Sequence, residues 1–174
     1  PLLQKIEVAQ TSEYTIYPTE PLAETPLQLN NWLHYESDSS EVSFKIVSFR
    51  VNGEEITGRK DFRVRSAADP NNKTLKTIVE ATLSGSDTYK INCEIVKTYS
   101  LNTDNIITLA KEGIIHNLNV RVETSGVKAT FKSAGTLKPF AKVPVGSAKD
   151  YREYDYEGII YPKQGYHIFL QYIS

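Results

Sequence analysis

The sequence predicts an all-β protein, an antiparallel β-sandwich of Ig-like or jelly-roll type. Three observations carry this. Apolar and polar residues alternate with period 2 in eight to ten separate segments. Short turns rich in Gly, Asn, Asp and Pro separate those segments. At most one short helix finds support along the whole chain.

Taken in order, residues 1–31 read as an extended Pro-rich N-terminal arm. Pro18, Pro21 and Pro26 fall close together, and each fixes its own φ and pushes the preceding residue to extended geometry. Within this arm "QKIEVAQ" reads as a short strand. Residues 32–174 read as a single β-sandwich domain. In "EVSFKIVSFRVNGEEITG" a strand turns at Asn52-Gly53, the dipeptide that best tolerates the two positive φ angles of a type I′ turn. The apolar phase shifts between Ile46 and Val47, which implies either burial on both faces or a bulge. "KDFRVR" is a further strand, with Arg63 and Arg65 on its wet side, and "SAADPNNK" a loop.

The clearest hairpin signal is "TLKTIVEATL" and "TYKINCEIVKTY" around "SGSD", with Tyr89, Ile91, Cys93 and Ile95 on one face. The stretch 105–112 reads as a short helix between Asp104 and Gly113, with a strand over 105–110 as the alternative. "IIHNLNVRVE" places Ile114, His116, Leu118, Val120 and Val122 on one face. Ser125-Gly126 then turns the chain into "VKATFK". The chain ends in a Tyr-rich hairpin, turning at Pro162 to Gly165. Six of the eleven tyrosines lie in the last 26 residues. On the final strand both faces are largely apolar: Tyr166, Ile168, Leu170 and Tyr172 on one, His167, Phe169, Gln171 and Ile173 on the other. A strand of that kind wants cover on both sides.

Few function classes survive this reading. The net charge of −1 argues against a nucleic-acid partner, which needs a basic excess. The sequence contains no run of about 20 apolar residues, so membrane insertion is not expected. No apolar stretch follows a basic start, so synthesis in the cytoplasm without a signal peptide is expected. The three histidines, His34, His116 and His167, stand apart without metal-ligand spacing. Cys93, the only cysteine, lies on an apolar strand face, where it behaves as a small hydrophobe. The acidic residues Asp150, Glu153, Asp155 and Glu157 read as a solvated face. No catalytic motif, metal site or cofactor site is expected, and the chain is read as not an enzyme.

What remains are candidates for contact with a partner: Trp32, Tyr151, Tyr154, Tyr156, Tyr14 and Tyr17. Tyrosine and tryptophan combine a large apolar body with a polar tip, which suits binding surfaces. The expected role is a non-enzymatic structural or assembly protein of a larger particle, a virion part or an extracellular appendage. Its partners would be other protein chains, met through the arm and the terminal hairpin. The alternative is a carbohydrate-binding or adhesive module in which these aromatic rings stack on a glycan.

Overall fold

A computed structural model describes residues 5–18, 24–110, 114–124, 126–146 and 151–173. Among them run thirteen strands: β1 (Lys5–Ile16), β2 (Thr25–His34), β3 (Ser43–Val51), β4 (Glu54–Glu55), β5 (Arg63–Asp69), β6 (Thr74–Leu83), β7 (Tyr89–Ser100), β8 (Ile106–Ala110), β9 (Ile115–Thr124), β10 (Val127–Ala134), β11 (Ala141–Val143), β12 (Tyr151–Ile160) and β13 (Gly165–Tyr172). A single 3₁₀ turn, Ser39–Glu41, is held by a capping box between Asp38 and Glu41. All pairings between these strands are antiparallel.

A seven-stranded sheet has the order β11-β12-β9-β1-β7-β3-β4. Two three-stranded sheets, β2-β6-β5 and β10-β13-β8, share a core with it. The result is an all-β sandwich, as the sequence predicts. Period-2 alternation sets its inner face. Ile6, Val8 and Tyr14 of β1, Tyr89, Ile91 and Tyr99 of β7, and Val120 and Val122 of β9 are all buried. Each such side chain contributes about 1.5–3 kcal/mol by leaving water.

Several expectations need correction. The described parts of residues 1–31 are strands and not an arm. β1 is the middle strand of the large sheet, paired with β7 on one side and β9 on the other. β2, which begins at Thr25 and includes Pro26, pairs along its whole length with β6. Pro26 is tolerated because β2 is an edge strand. Pro21 lies outside the described residues.

The turn at Asn52-Gly53 closes the β3–β4 hairpin, but two other expected hairpins, at "SGSD" and at the tyrosine-rich end of the chain, are not hairpins. β6 and β7 belong to different sheets, and so do β12 and β13. Their turns exist, but the chain crosses the core there instead of folding back within one sheet. Among the described residues, consecutive strands pair only at β3–β4, β5–β6 and β11–β12. Residues 106–110 are strand β8 and not helix, because pairing to β13 satisfies their backbone.

Two bulges explain the phase shifts. One lies between Ile46 and Ser48 of β3, where the sequence allowed it. The other was not foreseen. At Asn117, φ is +53°, and the pairing with β1 and β12 slips. The Asn117 Oδ1 accepts the Gly158 N–H at 3.0 Å. The slip turns Ile115 into the core and leaves Ile114 exposed.

Candidate interaction site

The tyrosine-rich tail builds core before it builds surface. Tyr154 stacks on Phe131 with ring centroids 3.9 Å apart. Phe131 also stacks on Tyr166 at 4.9 Å, and Phe140 meets Tyr156 at 5.0 Å. These rings join β10 and β13 to β12 across the sandwich. Beside them the Arg152 guanidinium donates to the Ala129 carbonyl. Offset and edge contacts of this kind add about 0.5–1.5 kcal/mol per pair beyond area burial.

Of the six aromatic candidates, Tyr14 and Tyr156 are buried core residues and cannot meet a partner. Burial pushes the Tyr14 hydroxyl well above its ordinary pKa. Tyr154 is half-buried under Phe131. Three remain accessible, and they do not converge. Tyr17 is exposed just past β1, edge-on to His116 at 4.5 Å. Tyr151 opposes Glu123 at the other end of β9, with the Arg121 guanidinium 4.6 Å from its ring. Trp32 stands on the outer face of β2-β6-β5, half exposed, with the Lys76 amine 5.6 Å from its ring.

The surface that does converge is the outer face of β10-β13-β8. On β13, inward residues Tyr166, Ile168 and Leu170 are buried, while Phe169 and Gln171 face out. Phe169 is 39% exposed, its cross-strand neighbour Ile106 is 41% exposed, and Ile173 beyond them is 69% exposed. Lys128 and Lys132 of β10 face the same way, opposite Gln171 and His167. The His167 imidazole is hydrogen-bonded to the Thr108 hydroxyl at 2.9 Å. None of the three strands contains an acidic residue. This face is an apolar stripe with a basic rim.

A second group escaped the sequence reading. Lys97 sits on the inner face of β7 and is 8% exposed. Burial lowers its pKa to about 8, against the opposing pull of Asp104 and Cys93. Its amine lies 5.9 Å from the Phe44 ring. Nearby in the chain the Tyr99 hydroxyl is buried without a hydrogen-bond partner. The signal was present: the inward phase of Tyr89, Ile91, Cys93 and Ile95 continues at Lys97 and Tyr99. A buried amine can serve as base or nucleophile. Lys97, however, is enclosed by core residues, and the shallow hollow of about 190 Å³ on the opposite face of the sheet is lined by Ala9, Thr11, Val47 and Val96 among others. Its effect is on stability.

Among the described residues no group of three or more His, Cys, Asp or Glu side chains could hold a metal ion. No helix among them is long and apolar enough to cross a membrane. The chain matches no family model, no curated protein and no solved structure.

Proposed function

We propose that this chain is a non-enzymatic structural or assembly protein, a subunit of a virion part or an extracellular appendage. Its contact surface is the outer face of β10-β13-β8. The observation that supports this is the half-covered state of β13. Its sequence asks for cover on both faces, the core supplies one, and Phe169, Ile106 and Ile173 remain open to solvent on the other. Contiguous exposed apolar groups rimmed by charge mark protein contact sites. The occupant that fits is another protein chain with an apolar centre and acidic flanks, meeting Lys128 and Lys132. A neighbouring copy offers acidic groups interspersed with polar and basic ones. The outer side of its large sheet holds Glu94, Thr11, Arg121 and Glu153 in one row and Asn92, Glu13, Asn119 and Asp155 in the next, with Ala9 and Val96 alongside. Contact between two different faces is heterologous and propagates, as assembly requires.

Light scattering over a concentration series tests this. The wild-type chain is expected to form oligomers whose mass falls as salt rises. Phe169→Asp is expected to abolish that salt-sensitive growth without unfolding the chain, because Phe169 points outward. Identical masses for the two chains at every concentration would refute the proposal. The glycan-binding alternative rests on Trp32 among the accessible rings, and it predicts glycan-array binding that is lost in Trp32→Ala.

A further inference from the structure

The other outer strands of the two small sheets each bury one face: Leu27 and Leu33 of β2, Val127 and Ala129 of β10, and Ile107 of β8. β5 does not. From Arg63 to Ala68 every residue is exposed, on both faces of the strand. Val64 lies opposite Val79 of β6, and Ser66 lies opposite Thr77, its Oγ 2.9 Å from Thr77 Oγ1. Val79 and Thr77 are buried, yet Val64 is 46% exposed. The core ends at β6, and β5 overhangs it.

The far edge of β5 is open. Among the described residues neither a strand nor a loop backbone pairs with it. An open edge of this length is a template for a further strand. Charge on an edge strand usually repels such an addition. Here the charges are disposed differently. The Arg65 guanidinium is neutralised within the sheet by Glu80 of β6. Arg63 forms no ion pair among the described residues. At the other end of the strand, Asp69 Oδ1 accepts the N–H groups of Asn71 and Asn72 at 3.0 and 3.2 Å, and Oδ2 accepts Asn72 Nδ2 at 2.8 Å. These bonds hold the carboxylate in place and leave one acceptor position on Oδ2 unused.

The strand that fits this pattern is β5 itself. Two copies of one strand pair antiparallel about a two-fold axis that passes through a residue, because only residues aiming their backbone groups at the open edge can face one another. An axis through Arg65 would set that arginine against its own copy, which is unfavourable. An axis through Ala67 would set Val64 against Pro70 and leave Arg63 beyond the end of β5. An axis through Ser66 pairs all seven residues. Arg63 then faces Asp69 of the mate, Val64 faces Ala68, Arg65 faces Ala67, and Ser66 faces Ser66. Both ends gain an opposite-charge pair, and no like charges lie directly opposite.

We propose that β5 is a docking edge for a second copy of this chain, the two β5 strands pairing antiparallel about Ser66 to join the small sheets into one of six strands, β2-β6-β5-β5-β6-β2. This contact is isologous and closes after one addition. It goes beyond the sheet-face contact proposed above and does not depend on it.

The two-fold axis supplies the test. Full-length chains carrying Phe169→Asp, which removes the sheet-face contact, receive either Ser66→Cys or Ala67→Cys and are treated with a mild oxidant. Both positions are exposed, and the native Cys93 is buried. In the pair Ser66 lies directly opposite its copy, within disulfide reach. Ala67 lies diagonal to its copy, about 7–8 Å away and outside that reach. Covalent dimer on a non-reducing gel should form at least about tenfold faster for Ser66→Cys, since pairing raises the effective concentration of its thiols. Adding Arg63→Glu, which sets an acid against Asp69 of the mate, should bring Ser66→Cys down to the Ala67→Cys rate. Equal rates for the two cysteines, or no slowing by Arg63→Glu, overturn the proposal. Should the cysteine variants fail to fold, light scattering on Phe169→Asp alone decides: its mass should rise with concentration to two chains and stop, and a monomer throughout overturns the pairing. Failure of the sheet-face reading has a different signature, equal masses with and without Phe169→Asp.

Discussion

Replacing Lys97 by methionine probes the least favourable group in the core. The unfolded amine has a pKa of 10.5, and burial lowers the folded value to about 8. Between these values the unfolded chain holds a proton that the folded chain has released. Stability must therefore rise with pH across that window. Below pH 8 both states are protonated, and the folded state bears the whole penalty, ~3 kcal/mol for a shift of this size. The Phe44 ring at 5.9 Å offsets part of it, by about 0.5–1 kcal/mol. Tyrosine sets the upper limit of the window. Burial holds the hydroxyls of Tyr14, Tyr99 and Tyr166 well above their ordinary value of 10, so the unfolded chain ionises first and stability falls beyond pH 10. Urea unfolding followed by far-ultraviolet circular dichroism should show the wild type gaining stability from pH 8 to pH 10 and losing it above. Lys97→Met should gain about 2 kcal/mol at pH 7, the penalty less the lost ring contact, and should be flat from pH 8 to pH 10. A wild-type curve that is flat across that range, or a methionine variant less stable than wild type at pH 7, would refute the reasoning.

Two further outcomes are expected. Glu55 accepts hydrogen bonds from Ser48 Oγ at 2.6 Å, Phe49 N at 3.0 Å and Thr57 Oγ1 at 2.8 Å, and the first of these does most to lower its pKa to about 2. Its stabilising effect is complete above the ordinary carboxylate pKa and fades as pH falls toward 2, so Glu55→Gln should cost about 1 kcal/mol at pH 7, a figure reduced for its exposure, and nothing near pH 2 in the same unfolding assay. Tyr166→Phe removes one of the two acceptors of the buried Gln10 amide and should cost about 1–3 kcal/mol, whereas adding Gln10→Leu should recover most of the loss in thermal melts; strictly additive losses would refute the coupling.

What the sequence disclosed divides along the line between local and distant interactions. The turn at Asn52-Gly53 was legible because its φ angles, +51° and +86°, are set by those two residues alone. The inward faces of β6 and β7 were legible because alternation has a fixed period. Whether a turn closes a hairpin or carries the chain across the core was not. "SGSD" and "YPKQG" satisfy local backbone needs either way, and the choice depends on partners far away in sequence. The central place of β1 was hidden for the same reason. Its neighbours begin at Tyr89 and Ile115, and the prolines beyond it suggested an arm. Tyr154 and Tyr156 looked like surface because tyrosine serves both roles, and only the positions of Phe131 and Phe140 across the sandwich decide between them. His116 was placed with the apolar face because no residue type announces the slip at Asn117.

Three of the buried polar residues, Lys97, Gln10 and Ser12, lie close together, and their clustering bears on how the sandwich is divided. Lys97 opposes Val8, Gln10 opposes Ile95, and Ser12 opposes Cys93. They form one block on the facing strands β1 and β7. The flanks are mainly apolar: Phe49, Val51, Ile56 and Leu83 on one side, where Ser48 and Thr77 are buried polar exceptions, and Leu118, Val120, Ile160 and Ile168 on the other. Burying an amine and an amide with an unpaired oxygen weakens cohesion where they lie. Cohesion is therefore strongest within each half and weakest along β1, where the halves meet. That ordering does not follow from strand number or sheet area, since β1 is among the longest strands and pairs on both edges. It follows from what those strands bury, and it makes the middle of the sheet, not its rim, the place where this fold can open.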